Sequence, residues 1–171
     1  MDNNTVKIFG HSVHPILIVF PLGLLATGMI FDVIYLATHQ PLFATVAFWM
    51  ITAGLIGGLL AAVFGFVDWM GIPSGTRAKS VGMYHGLANL LVVILYGASW
   101  FLRYNDPARP ELAASVLTII GAGVALVGGW LGGELVERLG IAVHEGANVD
   151  APSSLSTDTV PGAARSTAAR R

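Results

Sequence analysis

Two stretches of the chain decide its fold: residues 15–37, PILIVFPLGLLATGMIFDVIYLA, and residues 42–67, LFATVAFWMITAGLIGGLLAAVFGFV. Their one charged residue is Asp32, and each stretch is long enough to cross a hydrocarbon layer of about 30 Å as an α-helix. Two more apolar stretches follow, at about residues 83–102 and 112–131. The sequence therefore predicts an all-α polytopic membrane protein, a bundle of four transmembrane helices.

The composition also favours a lipid environment. Hydrophobic residues make up 54% of the 171-residue chain and charged residues only 11%, whereas soluble domains usually carry about 25% charged residues. Four spans with short loops form one transmembrane domain, residues 1–145, which leaves no room for a separate soluble domain. A net charge of −1 gives no indication of nucleic-acid binding. The absence of cysteine excludes disulfides, thiolate metal sites and iron–sulfur clusters.

Short polar segments separate the spans. THQP (38–41), DWMGIPSGTRAKSVG (68–82) and RYNDPARPE (103–111) combine proline, glycine or charged residues and are predicted loops. The first apolar stretch is too long for the core of a signal peptide and is interpreted as a retained span, with a kink at Pro21. Residues 146–171 are rich in Ala, Ser, Thr, Pro and Gly, which predicts a disordered polar tail.

An even number of spans places both termini on the same side of the cell membrane. Basic residues near the spans are more numerous on the cytoplasmic side of membrane proteins. Four basic residues lie on the side of the termini, namely Lys7, Arg77, Lys79 and Arg138. Two lie on the other side, Arg103 and Arg109. Both termini are therefore predicted to be cytoplasmic.

Small residues follow one face of spans two and four. Such residues let helices in lipid approach closely, where apolar burial gives little driving force. The first set is Gly54, Gly58, Ala61 and Gly65, ending at Asp68; the second is Gly121, Ala125, Gly128 and Gly132, with Gly129 and Gly133 as a further pair. The pattern favours helix packing within one chain, and a homodimer is the competing interpretation.

Ionisable side chains from four helices are predicted to meet at the cytoplasmic ends of the spans. Charged groups near a membrane are costly and usually have a partner or a function. The set is His11, His14, Asp68, His85 and Glu134. His14 and His85 open two facing helical seams, so they are candidate axial ligands of a b-type haem, with His11 as a further cofactor-binding candidate.

Other interpretations of the same residues stay open. His11, His14, Asp68 and His85 could instead hold a divalent metal, with proton handling as a related function. The simplest interpretation is that these groups cap helices and form ion pairs at the interface. Asp68, Arg77, Asn89 and Glu134 are the supporting residues in either site.

Several residues lie outside this cluster. Asp32 is predicted to snorkel or to face the bundle, and His39 to be a solvated loop histidine. His144 follows span four and could reach the cluster. No Ser/His/Asp order, phosphate-binding loop or CxxC motif is present, so an enzyme is not predicted. A non-catalytic scaffold or assembly partner is the alternative function, with the lipid bilayer and another membrane or redox protein as partners.

Three segments resemble the membrane protein family called domain of unknown function 2231. They are GHSVHPILIVFPLGLL (10–25), GFVDWMGIPSGTRAKSVGMYHGLAN (65–89) and GGWLGGELVERLGIAVHEGANVDAPSSL (128–155). The resemblance implies the four-span topology and a motif set of His11, His14, Pro15, Asp68, Arg77, His85, Gly132, Gly133 and Glu134.

This chain departs from the family pattern at two positions. Val19 stands where some relatives have a second histidine, and His144 where an acidic residue often precedes Glu-Gly. A likeness to four-helix b-type cytochromes, at the level of fold alone, ranks haem above a bare metal ion.

Overall fold

Four long apolar helices dominate the computed structural model, which describes residues 5–156. The helices are α1 (Val13–Leu17), α2 (Val19–Thr38), α3 (Pro41–Gly71), α4 (Arg77–Leu102) and α5 (Leu112–Gly133), and a π-helical turn, Glu134–Arg138, follows α5. With α1 and α2 counted together, four helical segments are long and apolar enough to cross a membrane. The predicted fold class, an all-α bundle of four transmembrane helices, is confirmed.

A proline explains the interruption of the first span. Pro21 has no backbone N–H and its ring crowds the carbonyl four residues earlier, that of Leu17. Helix α1 ends at Leu17, and α2 begins at Val19, while hydrogen bonds from Ile18 N to His14 O and from Leu22 N to Ile18 O hold the two segments together. The first span is therefore one path through the membrane built from two helices.

The connection between α3 and α4 is shorter than the sequence pattern predicts. Helix α4 begins at Arg77 rather than near 83, because the Thr76 hydroxyl caps it by accepting from Lys79 N at 3.1 Å. The ammonium of Lys79 donates to Trp69 O at 2.7 Å and lies 4.0 Å from the centre of the Trp69 ring. These contacts leave residues 72–76 as the whole connection.

Each long helix packs mainly against its neighbour in sequence. Contacts within the first hairpin, α2 with α3, and within the second, α4 with α5, are more extensive than the α3–α4 and α2–α5 contacts that join the hairpins. Helices α2 and α4 therefore lie diagonally across the bundle. Leu25, Ile51, Val92 and Tyr96 form the buried apolar centre between the hairpins.

Glycines on α3 and α5 bring the paired helices together. A methyl group added at Gly54 would lie 2.6 Å from Leu25 Cδ2, and one at Gly121 would lie 2.8 Å from Tyr96 Cε2. These small residues serve packing within the chain, because side chains of α2 and α4 occupy the space a larger residue would need. Gly129 and Gly133 differ, since no other part of residues 5–156 lies within 4 Å of a methyl group added there.

The segments outside the bundle meet at one end of it. Strands β1 (Lys7–Ile8) and β2 (His11–Ser12) pair antiparallel through a tight turn in which Phe9 and Gly10 both have positive φ, 50° and 81°. Ser154 lies against Gly10, so the described part of the predicted tail, residues 146–156, returns to the β-hairpin. The remainder of that predicted tail lies outside the described residues.

Substituting the two glycines Gly121 and Gly123 by alanine tests the packing. Gly121→Ala should lower the free energy of unfolding by about 1–3 kcal/mol, because the new methyl group overlaps the Tyr96 ring. Gly123→Ala is the matched control, since its methyl group meets open space and alanine favours the helix. Thermal unfolding in detergent measures both, and equal stability of the two variants would contradict the packing described here.

Candidate functional site

Two histidines from different hairpins meet in an edge-on contact. His14 comes from α1 and His85 from the first third of α4, and their ring centroids are 6.2 Å apart with ring planes at 89°. Both side chains are partly buried. The helices that carry them belong to different hairpins, so this contact spans the less extensive interface of the bundle.

A backbone carbonyl of the neighbouring helix fixes each ring. His14 Nδ1 lies 2.9 Å from Ala61 O on α3, and His85 Nδ1 lies 2.9 Å from Gly128 O on α5. A carbonyl oxygen can only accept, so each Nδ1 carries a proton and donates it. In the neutral imidazole the other nitrogen, Nε2, then holds a free lone pair, the state in which histidine binds a metal.

Glycine makes room for both rings. A methyl group added at Gly65 would lie 2.8 Å from His14 Cε1, and one at Gly132 would lie 3.1 Å from His85 Cε1. Each of these glycines is four residues beyond the residue whose carbonyl binds the ring, Ala61 or Gly128. The small-residue face predicted from the sequence is thus the surface on which the histidines rest.

Asn89 lies one helical turn beyond His85 on the same face of α4. Its side-chain amide nitrogen is 2.9 Å from the His85 carbonyl oxygen and 3.3 Å from His85 Nε2. The same side chain lies 3.2 Å from the position of a methyl group added at Gly128. Because the Asn89 amide nitrogen is also 3.4 Å from His85 Nδ1, the amide lies over the ring, and its shortest hydrogen bond is the one to His85 O.

His11 and Asp68 have partners in the N-terminal segment. His11 Nδ1 lies 3.1 Å from Phe9 O within the exposed turn of the β-hairpin. Asp68 accepts a hydrogen bond of 2.9 Å from Val6 N, which fixes that segment to the end of α3. Among residues 5–156 no group of three or more His, Asp or Glu side chains is arranged to hold a metal ion. The four ligands of the metal hypothesis are thus not gathered in one place.

The other predicted residues occupy separate positions. Arg77, mostly exposed, forms an ion pair with Glu134 at the start of the π-helical turn. His144 accepts from Gly146 N at 3.0 Å in the segment after that turn. His39 caps the far end of α2, with a φ of 54°. None of these three contacts involves His14 or His85.

A buried ion pair occupies the opposite end of the bundle. Arg103 donates two hydrogen bonds to Asp32, from Nη1 to Oδ1 at 2.7 Å and from Nη2 to Oδ2 at 2.9 Å, and both side chains are fully buried. Two hydroxyl groups complete its surroundings: Ser99 accepts from Arg103 Nη2 at 2.9 Å and Thr118 at 3.3 Å. A bidentate, fully hydrogen-bonded geometry is what such a pair needs where no water is available.

Sequence reasoning assigned Asp32 to the bundle or the interface but missed Arg103 as its partner. Arg103 was counted with the loop 103–111, since it directly follows the third span. The sequence does contain a signal for this pair. Spans one and three run in the same direction, and Asp32 and Arg103 lie near the same ends of those spans. Matching isolated charges of opposite sign at equal depth would have paired them.

The fold and its buried polar groups define an integral membrane protein of four helices with a histidine pair near one end and an ion pair near the other. The chain belongs to the family described as predicted membrane protein DUF2231, whose family model matches residues 10–145. The family resemblance seen in the sequence is thereby confirmed. No curated protein and no solved structure matches the chain.

Removing one partner of the buried pair tests its contribution to stability. Arg103→Leu leaves the Asp32 carboxylate without a counter-charge in an apolar interior, so we expect a loss of about 3–5 kcal/mol in the free energy of unfolding. Arg109→Leu, at an exposed position of the same loop, should change it by less than about 0.5 kcal/mol. Chemical unfolding in detergent compares them, and similar losses in both variants would contradict this assignment.

Proposed function

We propose that the protein is a small haem-binding, redox-associated membrane subunit, in which His14 and His85 would hold a b-type haem between the two hairpins. One observation supports the proposal: the distance between the two ring centroids is compatible with one metal ion bound by a nitrogen of each ring. With metal–nitrogen bonds of about 2 Å and about 1.1 Å from nitrogen to ring centre, two opposed imidazoles have centroids about 6 Å apart. The separation here is 6.2 Å.

The protonation state of the rings supports the same function. Nδ1 of each histidine donates to a carbonyl, so Nε2 is the nitrogen left to bind iron. The carbonyls belong to helices α3 and α5, which do not carry the histidines. Ring orientation is thus set by the packing of each hairpin, before any ligand arrives.

The number of ligands favours haem over a bare divalent ion. The porphyrin supplies four nitrogens itself, so a b-type haem needs only two axial side chains. A zinc site takes at least three protein ligands, and the described residues offer two, because His11 and Asp68 are bound elsewhere. When bound, haem would supply one-electron redox chemistry. His14 and His85 would hold it, and Gly65 and Gly132 leave room for the two rings beside α3 and α5.

Proton passage through the bundle is less well supported. Between the histidine pair and the Asp32–Arg103 pair lies the buried cluster of Leu25, Ile51, Val92 and Tyr96, whose one hydroxyl group donates to the Leu25 carbonyl. An apolar layer of this kind gives a proton no chain of hydrogen bonds to follow. A scaffold function, the other alternative, has no contact or surface among the described residues that favours it specifically.

The absorption spectrum of the purified full-length protein tests haem binding. We expect a Soret band after haem is supplied during expression or added in detergent. His14→Ala and His85→Ala should each abolish or strongly shift that band, because each removes one axial ligand. His11→Ala is the matched control and should leave the band unchanged, since its ring binds Phe9 O in the exposed turn.

Two outcomes would overturn the proposal. One is the absence of a Soret band in well-folded protein at saturating haem. The other is a band that survives in both His14→Ala and His85→Ala, which would place the haem elsewhere on the chain.

We also propose that both termini lie in the cytoplasm. Two basic residues, Arg103 and Arg109, lie at the end of the bundle opposite the termini among the described residues. At the end near the termini Lys7, Arg77, Lys79 and Arg138 are present. An excess of basic residues of this kind favours the cytoplasmic side.

The lack of native cysteine makes this orientation easy to test. Ser74→Cys, in the exposed α3–α4 connection, should be protected from a membrane-impermeant thiol reagent in intact cells. Asn105→Cys, in the exposed loop after α4, should react. Lysed cells provide the control, in which both positions should react. Labelling of Ser74→Cys alone in intact cells would show that the termini lie on the outer side of the membrane.

A further inference from the structure

The two hairpins bury the same positions. The buried residues of α2 are Pro21, Leu25, Gly28 and Asp32; 71 positions further along the chain stand Val92, Tyr96, Ser99 and Arg103, which are buried as well. In the second helix of each hairpin, α3 and α5, equivalent buried residues are 67 positions apart. This separation relates Ala47, Phe48, Ile51, Gly54 and Ala61 of α3 to the five buried residues of α5, Ala114, Ser115, Thr118, Gly121 and Gly128.

The contacts repeat at the same separations. The hydrogen bond of His14 to Ala61 O corresponds to that of His85 to Gly128 O. Likewise, the close approach of Gly54 to Leu25 corresponds to that of Gly121 to Tyr96. A repeat that preserves burial and side-chain contacts is the signature of one structural unit used twice.

Equivalent residues also meet each other between the hairpins. The rings of His14 and His85 are neighbours, Tyr96 donates from its hydroxyl to Leu25 O at 3.1 Å, and Arg103 binds Asp32. Each of these three pairs is separated by 71 positions. A residue that contacts its own equivalent lies beside a two-fold axis, so an approximate two-fold axis passes between α2 and α4.

We infer that the two hairpins are two versions of one module, and that Asp32 and Arg103 determine which hairpin pairs with which. The axis places position 32 of one hairpin opposite its equivalent in the partner hairpin. Two copies of the first hairpin would therefore bring two carboxylates together, and two copies of the second would bring two guanidinium groups together. Like charges at a buried apolar site disfavour both arrangements.

The surroundings of the pair show the same division between the hairpins. The hydroxyl groups of Ser99 and Thr118, both in the second hairpin, contact Arg103. Their equivalents in the first hairpin are Gly28 and Ile51, which have no side-chain polar group. One hairpin is thus built to surround the cation and the other to present a single anion. The surface that the first hairpin offers fits a partner hairpin with a buried arginine at this position.

Charge reversal in the full-length protein tests the inference. Asp32→Arg and Arg103→Asp should each lower the midpoint of thermal unfolding strongly, because each places two like charges at the interface. The double variant Asp32→Arg/Arg103→Asp restores opposite charges and should recover a substantial part of that loss. A double variant no more stable than the less damaged single variant would contradict the inference.

A second experiment measures pairing rather than stability. The two single variants are expressed together with different affinity tags, so that the Asp32 hairpin of one chain can pair with the Arg103 hairpin of the other. Residues 72–76 form a short connection, the kind of segment through which chains exchange equivalent parts. We expect the two variants to purify together, and more efficiently than two differently tagged copies of either variant alone. Equal recovery in all combinations would show that the charges do not direct pairing.

Discussion

Close approach of the two helices in each hairpin is the constraint from which the rest of the structure follows. In lipid, a helix gains little by covering apolar side chains, so contact must come from packing at short range. Gly54 and Gly121 allow it at the middle of the bundle, and Gly65 and Gly132 allow it beside the histidines. Without these glycines the rings could not reach the carbonyls of Ala61 and Gly128.

The bundle separates its polar groups into two places. The histidine pair has one free nitrogen per ring and no counter-charge, whereas the Asp32–Arg103 pair has its hydrogen bonds satisfied by its own members and by hydroxyl groups. The histidine pair therefore has nitrogen lone pairs that can bind a ligand, whereas the Asp32–Arg103 pair has its polar groups already bonded. This contrast is why the proposed function rests on the histidines and the pairing of the hairpins on the charges.

Much of the fold could be predicted from the sequence, because span length and small-residue spacing follow directly from the thickness and chemistry of the bilayer. The proximity of His14 and His85 also followed, since each opens a helical seam at the same depth. The positions of Asp68 and His11 did not, because their partners are the backbone of Val6 and Phe9. A backbone group has no signature in a pattern of side chains. The repeat was readable in principle, since the same 71 positions separate His14 from His85 and Asp32 from Arg103.

The break at Ile18 makes the two histidines unequal. His14 belongs to α1, a helix of five residues that hydrogen bonds near Ile18 connect to α2, whereas His85 is part of an unbroken helix of 26 residues. Helix α1 has its own contacts with α3, through the hydrogen bond of His14 to Ala61 O. Moving His85 would require movement of α4, which packs against both α3 and α5. The position of the His14 ring therefore depends on its hydrogen bond to Ala61 O and its contact with Gly65, whereas the position of the His85 ring is also fixed by the long helix that carries it.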